Sequence, residues 1–135
     1  MQPQVHLIDE TWIDASPETV SAVVREPANW PRWWPYLCLT VTRDRGLKGM
    51  QFAAGPVPAA GWPALTGTVE IWLEPFKDGV ILHHFLRLAP VGSEQLADRV
   101  ARRLTRRAGW QAKQVFWQLK DSLEAGPAAG GQAGD

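Results

Sequence analysis

The residues best suited to chemistry in this chain are two adjacent histidines, His83 and His84. Histidine titrates near neutral pH, so it can act as a general acid or base. Neighbouring residues of a strand point to opposite faces, so the two cannot line one site. His84 shares a face with Leu82 and Leu86, and we predict that it points inward. One interpretation is that His84 is a polar anchor or an acid/base group in an apolar pocket, which makes it the best catalytic candidate. The alternative is a buried structural histidine.

Two glutamates, Glu70 and Glu74, are the next candidates, because they share one face of a strand-forming segment with Trp72. A catalytic carboxylate pair needs a site that excludes water, and the outer face of a sheet does not provide one. Cross-strand pairing on that outer face is therefore the structural interpretation. The face is also unusually apolar, which makes a homodimer contact through Trp72, Ile81 and Phe85 a further hypothesis.

The composition of the chain argues against several classes of function. The chain has 135 residues, 14 basic and 14 acidic side chains, and one cysteine, Cys38. Zero net charge gives no global attraction to nucleic acid or anionic lipid, and we expect no nucleic-acid partner. One cysteine allows no internal disulfide and fits a reducing, cytoplasmic location. We expect no signal peptide, no membrane span, no metal and no cofactor, since the sequence lacks their patterns.

A basic cluster lies in the first half of the predicted terminal helix. At helical spacing most of its members share a face opposite much of the apolar stripe. A solvated helix face is the plainest interpretation, and capture of an acidic ligand near a cavity mouth is the alternative. The cluster consists of Arg99, Arg102, Arg103, Arg106 and Arg107.

Hydrophobic periodicity indicates an α+β domain. Alternating segments predict five strands, at 5–13, 37–43, 47–53, 66–74 and 80–88, with a proline-rich loop at 55–63. After the first strand, Ser16 and Pro17 predict a capped short helix, and a second short helical turn contains Trp30, Trp33 and Trp34.

One long amphipathic helix is predicted from Ser93, as its N-cap, to Glu124, with apolar residues recurring every three or four positions. The glycine- and alanine-rich stretch that follows cannot bury much apolar surface. We therefore expect one domain at 1–124 and a flexible tail at 125–135.

Tryptophan is the compositional outlier, with eight copies against one tyrosine. Aromatic and aliphatic side chains line most apolar ligand pockets. A set of aromatic residues is therefore predicted to form the walls of a pocket. The alternative is core packing, and for Trp33 and Phe116 this interpretation is at least as good. The set consists of Trp33, Trp34, Phe52, Trp62, Trp110, Phe116 and Trp117.

Four segments span nearly the whole chain apart from the tail: I-D-A-S-P-E-T-V at 13–20, E-P-A-N-W-P-R-W-W-P at 26–35, G-T-V-E-I-W-L-E-P at 67–75 and W-Q-L-K-D-S-L-E at 117–124. On these segments the sequence resembles the START-like, or SRPBCC, superfamily, in particular bacterial polyketide cyclase/dehydrase-like proteins. The resemblance implies a helix-grip fold, in which a curved antiparallel sheet wraps around the last helix with an apolar cavity between them. The predicted strands are fewer than the family usually has.

From this resemblance we expect a small hydrophobic ligand, lipid- or polyketide-like, between the sheet and the terminal helix. The alternatives are a cyclase or dehydratase acting on a polyketide-like substrate, and a protein-interaction module that uses the outer sheet face. The predicted ligand-binding residues are Trp34, Phe52, Trp62, Leu82, His84, Leu104, Ala108 and Val115.

Overall fold

The computed structural model describes residues 2–131 of the chain. Five antiparallel strands form one sheet in the order β1-β5-β4-β3-β2, so the first and last strands in sequence are neighbours. The strands are β1 (Val5–Ile13), β2 (Leu37–Asp44), β3 (Gly49–Pro56), β4 (Leu65–Phe76) and β5 (Gly79–Pro90).

Helices occupy the two remaining parts of the chain. The first, α1 (Pro17–Val24), begins as predicted: Oγ of Ser16 accepts a hydrogen bond of 3.1 Å from the backbone N–H of Thr19, and Pro17 takes the first position. A 3₁₀ turn (Pro27–Asn29) leads into α2 (Trp30–Trp33). The long helix α3 (Asp98–Gly131) lies against β1 at the edge of the sheet.

The predicted start of α3 at Ser93 is wrong, because the helix begins at Asp98. The side chain of Gln4 holds the backbone of Leu96 outside the helix. Its Nε2 donates to the Leu96 carbonyl over 2.9 Å, and its Oε1 accepts from the Leu96 N–H over 2.8 Å. A distant side chain thus satisfies the groups that an earlier helix start would have used.

The other end of α3 also differs from the prediction, since the helix continues beyond Glu124 to Gly131. Of the predicted tail at 125–135, residues 132–135 lie outside the described part of the chain. The division into a domain at 1–124 and a tail stays a prediction. Among the described residues, no helix is both long enough and apolar enough to cross a bilayer.

Two strand boundaries in the middle of the chain are corrected. A 3₁₀ turn (Gly46–Lys48) takes the place of the first two residues predicted for β3, and the strand then runs to Pro56, into the predicted loop. Residues 57–64 connect β3 to β4, and within them Ala59 and Trp62 form an isolated bridge. We call residues 57–64 the β3–β4 loop.

The predicted assignment of strand faces is confirmed. On β5, Leu82, His84 and Leu86 are buried, whereas Ile81, His83 and Phe85 on the opposite face are only half-buried. The inner faces of β4 and β5 meet the apolar stripe of α3 and the two tryptophans at the end of α2. The predicted α+β, helix-grip fold class is confirmed by this arrangement of one antiparallel sheet, two short helices and a long terminal helix.

Replacing Gln4 by Ala removes both hydrogen bonds to Leu96 and should loosen the segment before α3. We expect faster hydrogen exchange at the Leu96 amide and a loss of about 1–2 kcal/mol of unfolding free energy. The exposed Gln2 makes no side-chain hydrogen bond among the described residues, so Gln2→Ala is the matched control. Equal exchange at Leu96 in the two variants would contradict this account of the helix start.

Candidate functional site

His84 lies beneath α3 at the centre of the inner face, with 1% of its surface exposed. The indole Nε1–H of Trp34 donates a hydrogen bond of 3.1 Å to its Nε2. The ring of Phe116 from α3 covers it edge-on, with 5.2 Å between the ring centroids. Strand, short helix and long helix therefore meet at this one imidazole.

Burial lowers the pKa of His84 to about 3, because the charged imidazolium would lose its hydration. The ring is thus neutral at ordinary pH. Since Nε2 accepts the hydrogen bond from Trp34, the single proton of the neutral ring resides on Nδ1. That Nδ1–H is a buried donor with no hydrogen-bond partner among the described residues.

Two further buried polar atoms without a partner in the described structure lie on the neighbouring strand, namely Oδ2 of Asp9 and Oγ1 of Thr11. Asp9 is directly opposite His84 in the register between β1 and β5, and Thr11 is opposite Leu82. The other oxygen of Asp9 forms an ion pair of 2.8 Å with Nζ of Lys113 on α3. We call Asp9, Thr11 and His84 the buried polar cluster.

Sequence reasoning identified His84 but missed Asp9 and Thr11. The alternation of β1 could have identified them, because Asp9 and Thr11 lie an even number of residues from the inward-facing Val5 and Ile13 and so share their face. The cluster combines a donor, a carboxylate oxygen and a hydroxyl in one apolar setting. Each of these three atoms lacks a hydrogen-bond partner among the described residues.

Most of the predicted ligand-binding residues lie in the packed core. Trp34 contacts the rings of Phe52 and Phe116 at centroid separations of 6.2 and 6.5 Å, and Trp33 packs on Phe116 at 5.8 Å. Aromatic rings therefore occupy the space between α3 and the sheet around His84. The predicted residues that belong to this core are Trp34, Phe52, Leu82, His84, Leu104 and Ala108.

The two remaining predicted residues border separate surface cavities. Val115 lines a cavity of about 340 Å³ between α1, α2 and α3, together with Trp33. Trp62 lines a cavity of about 410 Å³ between the β3–β4 loop and α3. We call the second cavity the loop–helix groove.

Arg107 fastens the β3–β4 loop to α3 at the loop–helix groove. Its guanidinium donates to the carbonyls of Gly61 at 3.1 Å and Ala60 at 3.3 Å, and its Cζ lies 4.8 Å from the ring centroid of Trp62. Gly61 has a φ of +80°, and a Cβ there would lie 2.4 Å from Nη1 of Arg107. Glycine is therefore required for this close approach.

The inner side of the groove is anchored by Tyr36, whose ring stacks on Trp62 at a centroid separation of 3.8 Å. Burial raises the pKa of the Tyr36 phenol, and the charge of Arg107 opposes that shift only in part. On the α3 side, Trp110 borders the groove with 61% of its surface exposed, beside Gln111 and Gln114. The groove thus presents two indole side chains, one fixed and one exposed.

The outer sheet face has a different character. His83 lies between two carboxylates, with Nε2 2.8 Å from Glu74 and Nδ1 3.5 Å from Glu10. Its ring also contacts Trp72 and Phe85. These contacts agree with the predicted cross-strand pairing. Among the described residues, no three histidine, cysteine or carboxylate side chains are grouped to hold a metal ion.

Solved structures with the same arrangement identify the fold. One is DR_A0006 from Deinococcus radiodurans, with a TM-score of 0.61 and 14% identity over 90% of this chain and 98% of the other. Another is the Aha1 dimer from Colwellia psychrerythraea, with a TM-score of 0.56 and 15% identity over the same shares. This chain has the helix-grip fold.

A third helix-grip structure is the di-domain ARO/CYC protein StfQ from the steffimycin biosynthetic pathway, with a TM-score of 0.52 and 15% identity. The match covers 97% of this chain and 52% of StfQ. No family model matches the sequence, and no curated protein is significantly similar to it. At these identities the comparisons establish the helix-grip fold and not the ligand.

The depressed pKa of His84 makes stability depend on pH. Between about pH 6.5 and about 3 the unfolded chain binds a proton on this residue that the folded protein does not, so stability falls as the pH is lowered. His84→Gln keeps an acceptor for Trp34 but cannot titrate. We therefore expect the free energy of unfolding to depend less on pH in this range, by up to about 1 kcal/mol per pH unit. Denaturant titrations at several pH values measure it. An unchanged slope in the variant would assign the acid sensitivity to other groups.

Proposed function

We propose that the protein binds a small apolar ligand and that the loop–helix groove is where this ligand is first held. The observation that carries the proposal is the exposed Trp110 beside Trp62 on a cavity of about 410 Å³. Ligand pockets of roughly 300–1,000 Å³ hold drug-sized molecules. Covering an indole ring gains about 25 cal/mol for each Å² of apolar surface removed from water.

The chemistry of the groove favours a flat, unsaturated ligand, polyketide-like rather than a saturated lipid chain. The two indoles offer ring faces for stacking, which is worth about 0.5–1.5 kcal/mol beyond the buried area. Gln111 and Gln114 can hydrogen-bond to hydroxyl or carbonyl groups at the rim. Arg107 adds a positive charge that suits an acidic substituent.

The predicted inner contacts extend this proposal. A ligand that reaches between the sheet and α3 has to displace the rings of Trp34 and Phe116, after which it meets the buried polar cluster. The Nδ1–H of His84 and the Oδ2 of Asp9 supply one donor and one acceptor there. A ligand hydroxyl or carbonyl would satisfy a polar atom that is costly to leave without a partner.

The enzymatic alternative, a cyclase or dehydratase, gains less from the geometry. The lone pair of His84 that a general base needs is already taken by the indole of Trp34. His84 can instead donate a hydrogen bond from its Nδ1–H to hold a carbonyl oxygen, which is a positioning role.

A cytoplasmic location stays a prediction.

Trp110→Ala should weaken the binding of a neutral aromatic probe, N-phenyl-1-naphthylamine, about tenfold, because one of the two ring surfaces is removed. The matched control is Trp117→Ala, which removes an exposed indole from α3 that does not border the groove. Probe fluorescence measures Kd, and thermal unfolding verifies that both variants are folded. Absence of saturable binding to the original protein, or equal weakening by both variants, would refute this site.

A second candidate function is self-association through the outer sheet face. Trp72 keeps 45% of its surface exposed at the centre of this face, next to the half-buried Ile81 and Phe85. Exposed apolar patches of this kind are typical of protein contacts. The flanking Glu10 and Glu74 would then form the polar rim of a homodimer contact.

Trp72→Glu places a charge at the centre of that contact and should convert a dimer into a monomer of 15.0 kDa, as measured by size exclusion with light scattering. Val91→Glu, at an exposed apolar position in the connection after β5, is the control and should stay dimeric. If the original protein is already monomeric at high concentration, the outer face is not a homodimer contact.

A further inference from the structure

The charges of this neutral chain are unevenly distributed along the sequence. Residues 99–120 contain seven of the 14 lysines and arginines and none of the 14 aspartates and glutamates. This stretch therefore carries a formal charge of +7, and the rest of the chain carries −7, from seven basic and 14 acidic residues. All of the positive excess lies on α3.

Four of these basic residues are free of carboxylate partners within the described part of the chain. Lys113 is paired with Asp9 and Lys120 with Glu124, and Arg107 is engaged with the β3–β4 loop. The others are all exposed and form no ion pair with a described residue. They are Arg99, Arg102, Arg103 and Arg106.

Two tryptophans continue the same face of α3. Trp110 lies four residues after Arg106, and Trp117 lies seven residues after Trp110, so 3.6 residues per turn brings them into line with the arginines. They expose 61% and 49% of their surfaces. Arg99 and Trp117 are about 27 Å apart along the helix axis at 1.5 Å per residue. We call these six residues the basic–indole face.

We infer that the basic–indole face docks the protein on an anionic phospholipid surface, with α3 lying parallel to the membrane. Arginines at a negatively charged bilayer gain electrostatic attraction, and indoles favour the boundary between headgroups and acyl chains. Helices that lie in this boundary combine the same two features. The rest of the chain carries a formal charge of −7 and gains no such attraction.

The shape of the face favours a membrane over single-stranded nucleic acid. Single strands are bound in basic grooves that follow the backbone, with aromatic rings on which bases stack. The basic–indole face instead lies along one exposed side of a single helix, with both indoles after the last arginine and none between the arginines. Arg102 and Arg106 also border a cavity of about 520 Å³ beside Pro3 and Gln4. Docking and the proposed ligand site share Trp110, whereas the four arginines and Trp117 do not border the loop–helix groove.

The test is co-flotation of the full-length protein with vesicles at low salt. Binding is expected to vesicles of 30% phosphatidylglycerol in phosphatidylcholine and not to pure phosphatidylcholine vesicles, and it should weaken with added salt. Arg102→Gln combined with Arg106→Gln should weaken binding about 30-fold, since each arginine contributes about 1 kcal/mol, or about fivefold. Arg43→Gln combined with Arg87→Gln removes the same charge from exposed sheet positions and should leave binding unchanged.

Trp117→Ala separates membrane docking from ligand binding. It should weaken vesicle binding severalfold while leaving the Kd for N-phenyl-1-naphthylamine unchanged. Bromine-labelled lipids should quench the fluorescence of the original protein more than that of this variant. The inference is overturned if anionic vesicles are not bound, if the two double variants lose binding equally, or if single-stranded DNA is bound more tightly than the vesicles in the same buffer.

Discussion

The hydrogen bond from Trp34 to His84 is the interaction on which the interior depends. A histidine at the centre of a dry sheet face is tolerated only when it is neutral and at least one ring nitrogen has a partner. Trp34 supplies that partner and in the same position contacts Phe52 and Phe116. One indole thus ties α2, the sheet and α3 together, and it fills the space in which a ligand of this fold would be expected.

Because the interior is filled there, the cavity that borders Trp62 and Trp110 lies at the margin of the helix-grip fold. Packing is incomplete where the β3–β4 loop meets α3, and Arg107 closes this seam with two carbonyl hydrogen bonds and a contact to Trp62. The same seam leaves Trp110 exposed. Within the buried polar cluster, the ring of His84 lies against Trp34 and Phe116, whereas Asp9 is partly exposed at its ion pair with Lys113.

The distribution of charge over the chain does not follow from the packing of its core. A net charge of zero argued against any global attraction to a membrane, and that argument is sound for the average field. It does not apply locally, because residues 99–120 of α3 contain seven basic residues and no acidic one, a separation of charge along the sequence. The membrane proposal depends on this separation and on the exposed indoles, neither of which the total composition reveals.

The sequence by itself determined the strands, the faces of β4 and β5, and the capped α1, because these depend on alternation and on local capping chemistry. The inward position of His84 followed from the same alternation. Only the tertiary structure decided where α3 begins, since the side chain of Gln4 acts on Leu96 across 92 positions of the chain. It also decided that Trp34 fills the interior while Trp110 stays exposed, because the burial of an aromatic ring is set by what the rest of the fold brings against it.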